Sequence, residues 1–340
     1  FCNTTSAPFT VTLPAGTAGD IVAFADYAAT WQTNNVTVTP NGTDKIGSLN
    51  QNAVLSTEGQ SVTFVFVDST QGWINTMDST SNVRGAPPFI QATGGTITTS
   101  GNDRIHTFTS PGTFAVTSLA ATPANNAVAY TVIAGGAGGG YNSGPTNHSG
   151  AGGGAGGFRE FVTQPITPYT ASPIASTTGI TVSVQSYPIT VGGGGAGSGG
   201  DPQSGVSGSS SSGLGYTSAG GGGAGANANP GNSGGSGGGG SSNGVRIGGA
   251  GNTPPTSPAQ GTPGGSGTDG PGPQVSAGGG GGATSVGTNA SGGQGGNGGG
   301  GATTSISGSP VARAGGGAGG SGTTNGTASA GGGAFPQKNG

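Results

Sequence analysis

The sequence predicts an all-β chain that passes into a bundle of left-handed polyglycine II helices. The first observation is where glycine sits: of 83 Gly, 11 lie before Val132 and 72 lie from Val132 to Gly340, roughly one residue in three. The second is the missing core of that stretch. From Thr217 to Ala334 there is no aromatic residue, and the aliphatics beyond alanine are Val245, Ile247, Val275, Val286, Ile306 and Val311. The third is period-two alternation in the first part of the chain, the mark of half-buried strands. Glycine costs about 1 kcal/mol per residue in a helix, so runs of it exclude α-helix. A side-chain-packed sheet lacks its side chains there. The backbone itself must make the structure.

Residues 1–80 read as a small β-rich domain. Phe9, Val11 and Leu13 alternate with Thr10 and Thr12, and Val36 and Val38 alternate with Thr37 and Thr39 before the turn Pro40-Asn41-Gly42. Ser61–Asp68 is the strongest strand, with Val62, Phe64 and Phe66 on one face. Phe24, Trp31, Phe64, Phe66 and Trp73 form the expected core. Such a core is thin for a domain of this size, which points to a homotrimer that shares it. Residues 81–93 read as a linker around Gly85, Pro87 and Pro88. Residues 94–191 read as a β-sandwich-like module. Its strands are expected at Arg104–Phe108, Thr113–Thr117, Ala127–Ala134, Gly157–Thr163, Ile180–Val184 and Ile189–Val191, the first two as a hairpin across Thr109-Ser110-Pro111-Gly112.

Residues 192–340 read as the polyglycine II sandwich. Short, similar glycine runs (Gly192–Gly195, Gly220–Gly223, Gly237–Gly240, Gly278–Gly282, Gly298–Gly301) alternate with unlike polar inserts rich in Ser, Thr, Asn and Pro. A uniform scaffold carrying variable loops has that pattern. Polyglycine II has three residues per turn, as in polyproline II, and keeps its N–H groups for bonding to neighbouring helices. The collagen triple helix is rejected because glycine is consecutive rather than strictly every third residue. Calcium-binding β-roll repeats are rejected for want of Asp in frame.

Charged residues make up 5 % of the chain and the net charge is −3. This excludes a basic footprint for nucleic acid or anionic membranes. No apolar run is long enough to insert in a membrane. Cys2 is the single cysteine, so there is no disulfide framework. The chain opens at Phe1 without an initiating Met or a signal peptide, as an internal piece of a longer protein would.

Catalysis is not expected, nor any cofactor or metal. His106 and His148 with Cys2 give no ligand spacing. His106 reads as a satisfied or trimer-facing strand residue. Eight of ten acidic residues precede Phe161 and read as solvated turn charges rather than a dyad about 5–10 Å apart, and Glu160 is expected to pair with Arg159 on the surface. The glycine runs lack the following helix of a phosphate-binding loop. Binding is the better expectation. Tyr141, Asn142, Asn147 and His148 in one insert, and Tyr216 with Thr217 in another, offer apolar faces beside hydrogen-bonding groups. Asn252, Thr253, Pro254 and Pro255 would form a stiff exposed tip. The same aromatics could equally anchor their loops on the scaffold.

Several segments carry a family likeness. They are Val128–Gly140, Gly154–Glu160, Ile180–Val184 leading into Ile189–Gly195, and Ile306–Gly317. Together they resemble the glycine-rich domain of tailed-bacteriophage tail fibre proteins. Thr17–Tyr27 and Gly72–Thr76 are similar to a small β domain upstream in such fibres. The resemblance implies a trimeric fibre segment on the distal part of the virion tail fibre, joined to other fibre segments. Its loops would bind a host cell-surface receptor, a glycan or an outer-membrane protein. The alternatives are a fibre shaft or spacer without receptor contact, a surface- or ice-binding bundle, and disorder of residues 192–340.

Overall fold

The computed structural model describes residues 1–79, 89–143, 148–162, 169–200, 203–227, 229–242, 246–269 and 274–334. The chain divides into two compact units, Phe1–Gly85 and Ala86–Gly340. The described residues are nearly all β, in small sheets, with a 3-10 turn at Pro123–Asn126.

The first unit holds two three-stranded sheets. In one, β1 (Phe9–Thr12) runs parallel to β3 (Val36–Thr39), which pairs antiparallel with β4 (Ala53–Leu55). In the other, β5 (Ser61–Asp68) lies between β2 (Ile21–Ala25) and β6 (Gly72–Ser79), both antiparallel to it. Period-two alternation turns Val62, Phe64 and Phe66 of β5 inward with Val36 and Val38 of β3. They join Leu13, Phe24, Leu55, Trp31 and Trp73 in one cluster, with Phe24 edge-on to Phe64 and Phe66 edge-on to Trp73. The five core residues expected from sequence are all buried. Phe9, at the start of β1, is exposed, whereas Leu13 just after the strand is buried.

Asp26 departs from the reading of acidic residues as solvated turn charges. It is 4 % exposed. Its Oδ1 accepts the amides of Ala28 and Thr30, and its Oδ2 those of Trp31 and Gly59. Burial alone would raise its pKa, but the four donated amides outweigh it and hold the carboxyl below its usual range.

The second unit begins within the segment expected as a linker. There β7 (Gln91–Thr93) joins a sheet with β10 (Gly112–Ser118) and β17 (Ser186–Ile189), in the order β17-β10-β7. The expected hairpin between residues 104–108 and 113–117 does not form. Instead β9 (Asp103–Thr107) turns back on β8 (Thr96–Ser100) across Gly101-Asn102, with Gly101 at φ +57, while β10 pairs elsewhere. A two-residue turn with glycine in the left-handed region fits a tight hairpin better than the longer Pro-Gly connection. His106 is satisfied within β9: its Nδ1 lies 2.8 Å from Gly94 O, and its ring meets Phe114 edge-on. Beside this three-stranded sheet the second unit holds two-stranded ladders. They are β11 (Ala127–Val128) with β16 (Ile180–Thr181), β12 (Tyr130–Ile133) with β15 (Phe158–Phe161), β13 (Asn142–Ser143) with β14 (His148–Ser149), β18 (Ser211–Gly213) with β19 (Tyr216–Ser218), and β20 (Ala302–Thr304) with β21 (Val311–Arg313).

Between these ladders the glycine segments bond to one another, and they begin near Ala134, well before residue 192. Ala134, Ala137 and Gly140 donate to the carbonyls of Gly157, Gly154 and Ala151 at 3.1, 2.9 and 3.1 Å. Gly135 and Gly138 donate to Ser209 and Val206. The carbonyls of Gly136 and Gly139 accept from Gly195 and Ser198. Successive residues of one segment thus address three different neighbours, and the pattern repeats every third residue. Ala277, Gly280 and Ala283 repeat it against Gly320, Gly317 and Ala314.

Glycine is needed here for space, not for backbone angle. Among described glycines after Val132, positive φ occurs at Gly215, Gly293, Gly308 and Gly331, none within these bonded segments. A Cβ at Gly280 would stand 2.0 Å from Gly153 O, and one at Gly316 2.0 Å from Gly280 O. Where the neighbours leave room for one methyl, alanine fills it: Ala151, Ala224 and Ala277 form a buried cluster.

Candidate functional site

The chemistry-bearing side chains of the second unit gather around β15. Alternation sends Arg159 and Phe161 to one side of this strand and Phe158 and Glu160 to the other. On the first side, the Arg159 guanidinium lies over the rings of Phe161 at 5.2 Å and Tyr216 at 5.1 Å. Phe161 packs against Tyr216 with ring centroids 4.1 Å apart and stacks on Tyr130 of β12, its cross-strand partner. Arg159 Nη1 also donates to Thr217 O at 3.3 Å. Burial pushes the Tyr130 phenol well above its usual pKa, although Arg159 works in the opposite direction.

On the other side, Glu160 is 2 % exposed. Its Oε2 accepts the Ser172 amide at 2.9 Å, and its Oε1 accepts the Thr304 hydroxyl at 2.6 Å. The expected surface pair of Glu160 with Arg159 is therefore absent, since neighbouring residues on a strand face opposite ways.

Gln260 joins this cluster to the stiff loop. It is 1 % exposed, and its backbone carbonyl accepts the Phe158 amide. Its side-chain Oε1 accepts the Ala219 amide at 2.8 Å, and its Nε2 donates to Pro254 O at 2.7 Å. The loop from Asn252 to Gln260 is also tied from within. Asn252 Oδ1 accepts the Thr256 amide, the Thr256 hydroxyl and the Gln260 amide, while its Nδ2 donates to Thr256 O. Thr253, Pro254 and Pro255 are exposed on this frame, and the Thr253-Pro254 and Ser257-Pro258 bonds are cis.

The sequence-predicted residues therefore fall into two groups. Tyr216 and Thr217 lie in β19, and Gln260 links the end of that strand to Asn252–Pro255. Tyr216 is a half-buried anchor rather than a tip residue, whereas Thr217 is exposed. Tyr141 ends a glycine segment and exchanges both backbone hydrogen bonds with Gln203. Asn142 and His148 pair with Ser149 and Ser143 through the β13–β14 ladder. Asn147 lies outside the described residues. Sequence reasoning missed Arg159, Phe161 and Gln260. The first two were legible in the Phe-Arg-Glu-Phe alternation. Gln260 carried one signal, a long amide side chain immediately before a glycine segment.

A family model described as a glycine-rich domain matches residues 107–335, and the chain belongs to that family. No curated protein matches it.

Proposed function

We propose that the chain is a receptor-binding segment of a bacteriophage tail fibre, built as a bundle of polyglycine II helices that holds ordered polar loops. The observation that carries the scaffold is the three-residue step of the backbone hydrogen bonds, in which Ala134, Ala137 and Gly140 meet Gly157, Gly154 and Ala151. Polyglycine II has three residues per turn, so each third amide returns to the same neighbour. No glycine inside these segments has positive φ, and Ala314, where β21 passes into one of them, is the exception at φ +59; the glycines thus fit a left-handed winding. The family membership and the resemblance of Val128–Gly140 and Gly154–Glu160 to tail fibre proteins support the setting.

The loop Asn252–Gln260 supports recognition. Its exposed Thr253, Pro254 and Pro255 are held by four Asn252 bonds and by Gln260, so docking a host glycan or outer-membrane protein there orders little further chain. In this reading the protein works as a homotrimer beside other fibre segments on the distal tail fibre, without catalysis. Exchanging residues 252–259 with those of a related fibre tests it. A changed host range is expected, and an unchanged one assigns the chain to a spacer. Hydrogen exchange on the full chain tests the scaffold separately, with protection expected at Gly220–Gly223, Gly278–Gly282 and Gly315–Gly320.

A further inference from the structure

A second concave surface lies away from these loops, where two turns distant in sequence close on each other. One is the β8–β9 turn, with Gly101 at φ +57. The other follows β20, with Gly308 at φ +95. A Cβ on Gly308 would stand 3.3 Å from Ser100, so the turns nearly touch. The segment beginning at Tyr169 is stitched beneath them, with the Thr170 amide donating to Ser305 Oγ at 2.7 Å and the Ser305 amide donating to Thr170 O at 2.9 Å. The half-open cavity between them measures about 230 Å³.

Its walls are mixed. Ile105, Ile306 and the Tyr169 ring supply apolar surface, and Ser100, Asn102 and Asp103 supply polar edges. Asp103 lines this space, and among the described residues none hydrogen-bonds to its carboxylate. Tyr169 Oη is buried beside Glu160 without a hydrogen bond of full geometry, while the Glu160 oxygens accept from Ser172 and Thr304. Two carboxylates thus flank the cavity, one at its wall and one behind Tyr169. Among the described residues no lysine or arginine lines it. Arg104 follows Asp103 on β9 and so faces the other way, and Arg313 is turned to Ser307.

We propose that this cavity binds one neutral sugar ring. A carboxylate acceptor takes hydroxyl donors, and the apolar walls take the C–H face of the ring. The flanking negative charge disfavours anionic sugars and phosphates. The volume lies below the roughly 300–1,000 Å³ of pockets that enclose drug-sized ligands, which sets the occupant at a single ring. This site is separate from the loops at Thr217 and Thr253–Pro255 and does not depend on their role.

Saturation-transfer NMR on the full chain tests it, with the methyl α-glycosides of glucose, galactose and mannose as probes and glucuronic acid as the anionic control. At least one neutral glycoside shows transfer with Kd of order 1 mM, as expected for a ligand of this size, and glucuronic acid shows none. Asp103→Ala weakens the binding at least tenfold. Ile306→Trp, which fills the cavity from the opposite turn, removes it. Tyr216→Ala leaves it unchanged. No transfer to any neutral glycoside, or transfer unaltered in both Asp103→Ala and Ile306→Trp, overturns the proposal. The readout uses the free chain, so its failure leaves the host-range exchange untouched.

Discussion

Substituting Gly280 by alanine should unlock the glycine bundle, whereas the same change at Gly193 should not. The new Cβ at 280 would lie 2.0 Å from Gly153 O, so the two backbones must part by about 1.4 Å to reach ordinary contact at 3.4 Å. Overpacking of this kind costs about 1–3 kcal/mol. The displacement also loosens three bonds, from Gly280 to Gly317 O, from Gly299 to Gly280 O and from Gly317 to Gly153 O. Each contributes about 1 kcal/mol net. Against this, alanine narrows the unfolded ensemble by about 0.4–1 kcal/mol. The expected loss is about 4 kcal/mol, or roughly a thousandfold in the opening equilibrium. At Gly193 nothing lies within 4 Å of the added Cβ and φ is not positive, so the entropic gain stands alone. Amide hydrogen exchange by mass spectrometry across Gly278–Gly282 reads the difference. Trp31 and Trp73 fluorescence reports the first unit and should be unmoved in both variants. Equal protection in Gly280→Ala and Gly193→Ala would refute the argument that close approach, rather than backbone angle, demands glycine here.

Gln260→Leu leaves the Ala219 amide and the Pro254 carbonyl without their side-chain partner. Exchange at Ala219 and across 252–260 should rise, consistent with about 1–3 kcal/mol per unsatisfied buried group. Asp26 sets an acid limit on the first unit. Its pKa is lowered in the fold, so its contribution is present above the unfolded carboxylate pKa and is lost as pH falls through the folded value. Urea midpoints read by tryptophan fluorescence should fall on acidification, and less so in Asp26→Asn. Arg159→Ala strips the cation from the faces of Phe161 and Tyr216, at a cost of about 0.5–2 kcal/mol. The 211–218 ladder should then exchange faster, while the Glu160 side of β15 should not.

Much of this fold was legible because two local rules operate strongly. Alternation placed β5 and its inward Val62, Phe64 and Phe66, and the density of glycine after Val132 announced backbone-to-backbone packing. Pairing was less legible. Residues 104–108 and 113–117 looked like a hairpin because both are good strands beside a Pro-Gly turn. Local pattern carries no record that Thr96–Ser100 closes the tighter turn and that β10 is claimed by β7 and β17. The buried carboxylates were hidden for a related reason. Asp26 and Glu160 are surrounded in sequence by ordinary turn and strand residues. Their burial is decided by amides and hydroxyls from Gly59, Ser172 and Thr304, which only the fold brings near. In the candidate site the exposed Thr253–Pro255 tip was readable from its prolines, but its support by Gln260 was not.

The spacing of the glycine segments explains why their inserts can differ so much. Each bonded segment fixes its neighbours through main-chain groups that every residue carries, so its register does not depend on side-chain identity outside the contact positions. What the lattice demands is the absence of Cβ at sites such as Gly280 and Gly316, and one methyl at sites such as Ala277. A side-chain-packed sheet would couple each loop to the core residues on which it lands. Here a loop joins the scaffold through a few added bonds, as Gln260 does for the 252–260 loop. Length and composition of that loop can therefore change without repacking a core. A bundle held in this way would separate stability from recognition along the chain, and the loop-presenting function proposed above rests on that separation. A spacer has no use for a tip organised by four bonds to a single asparagine.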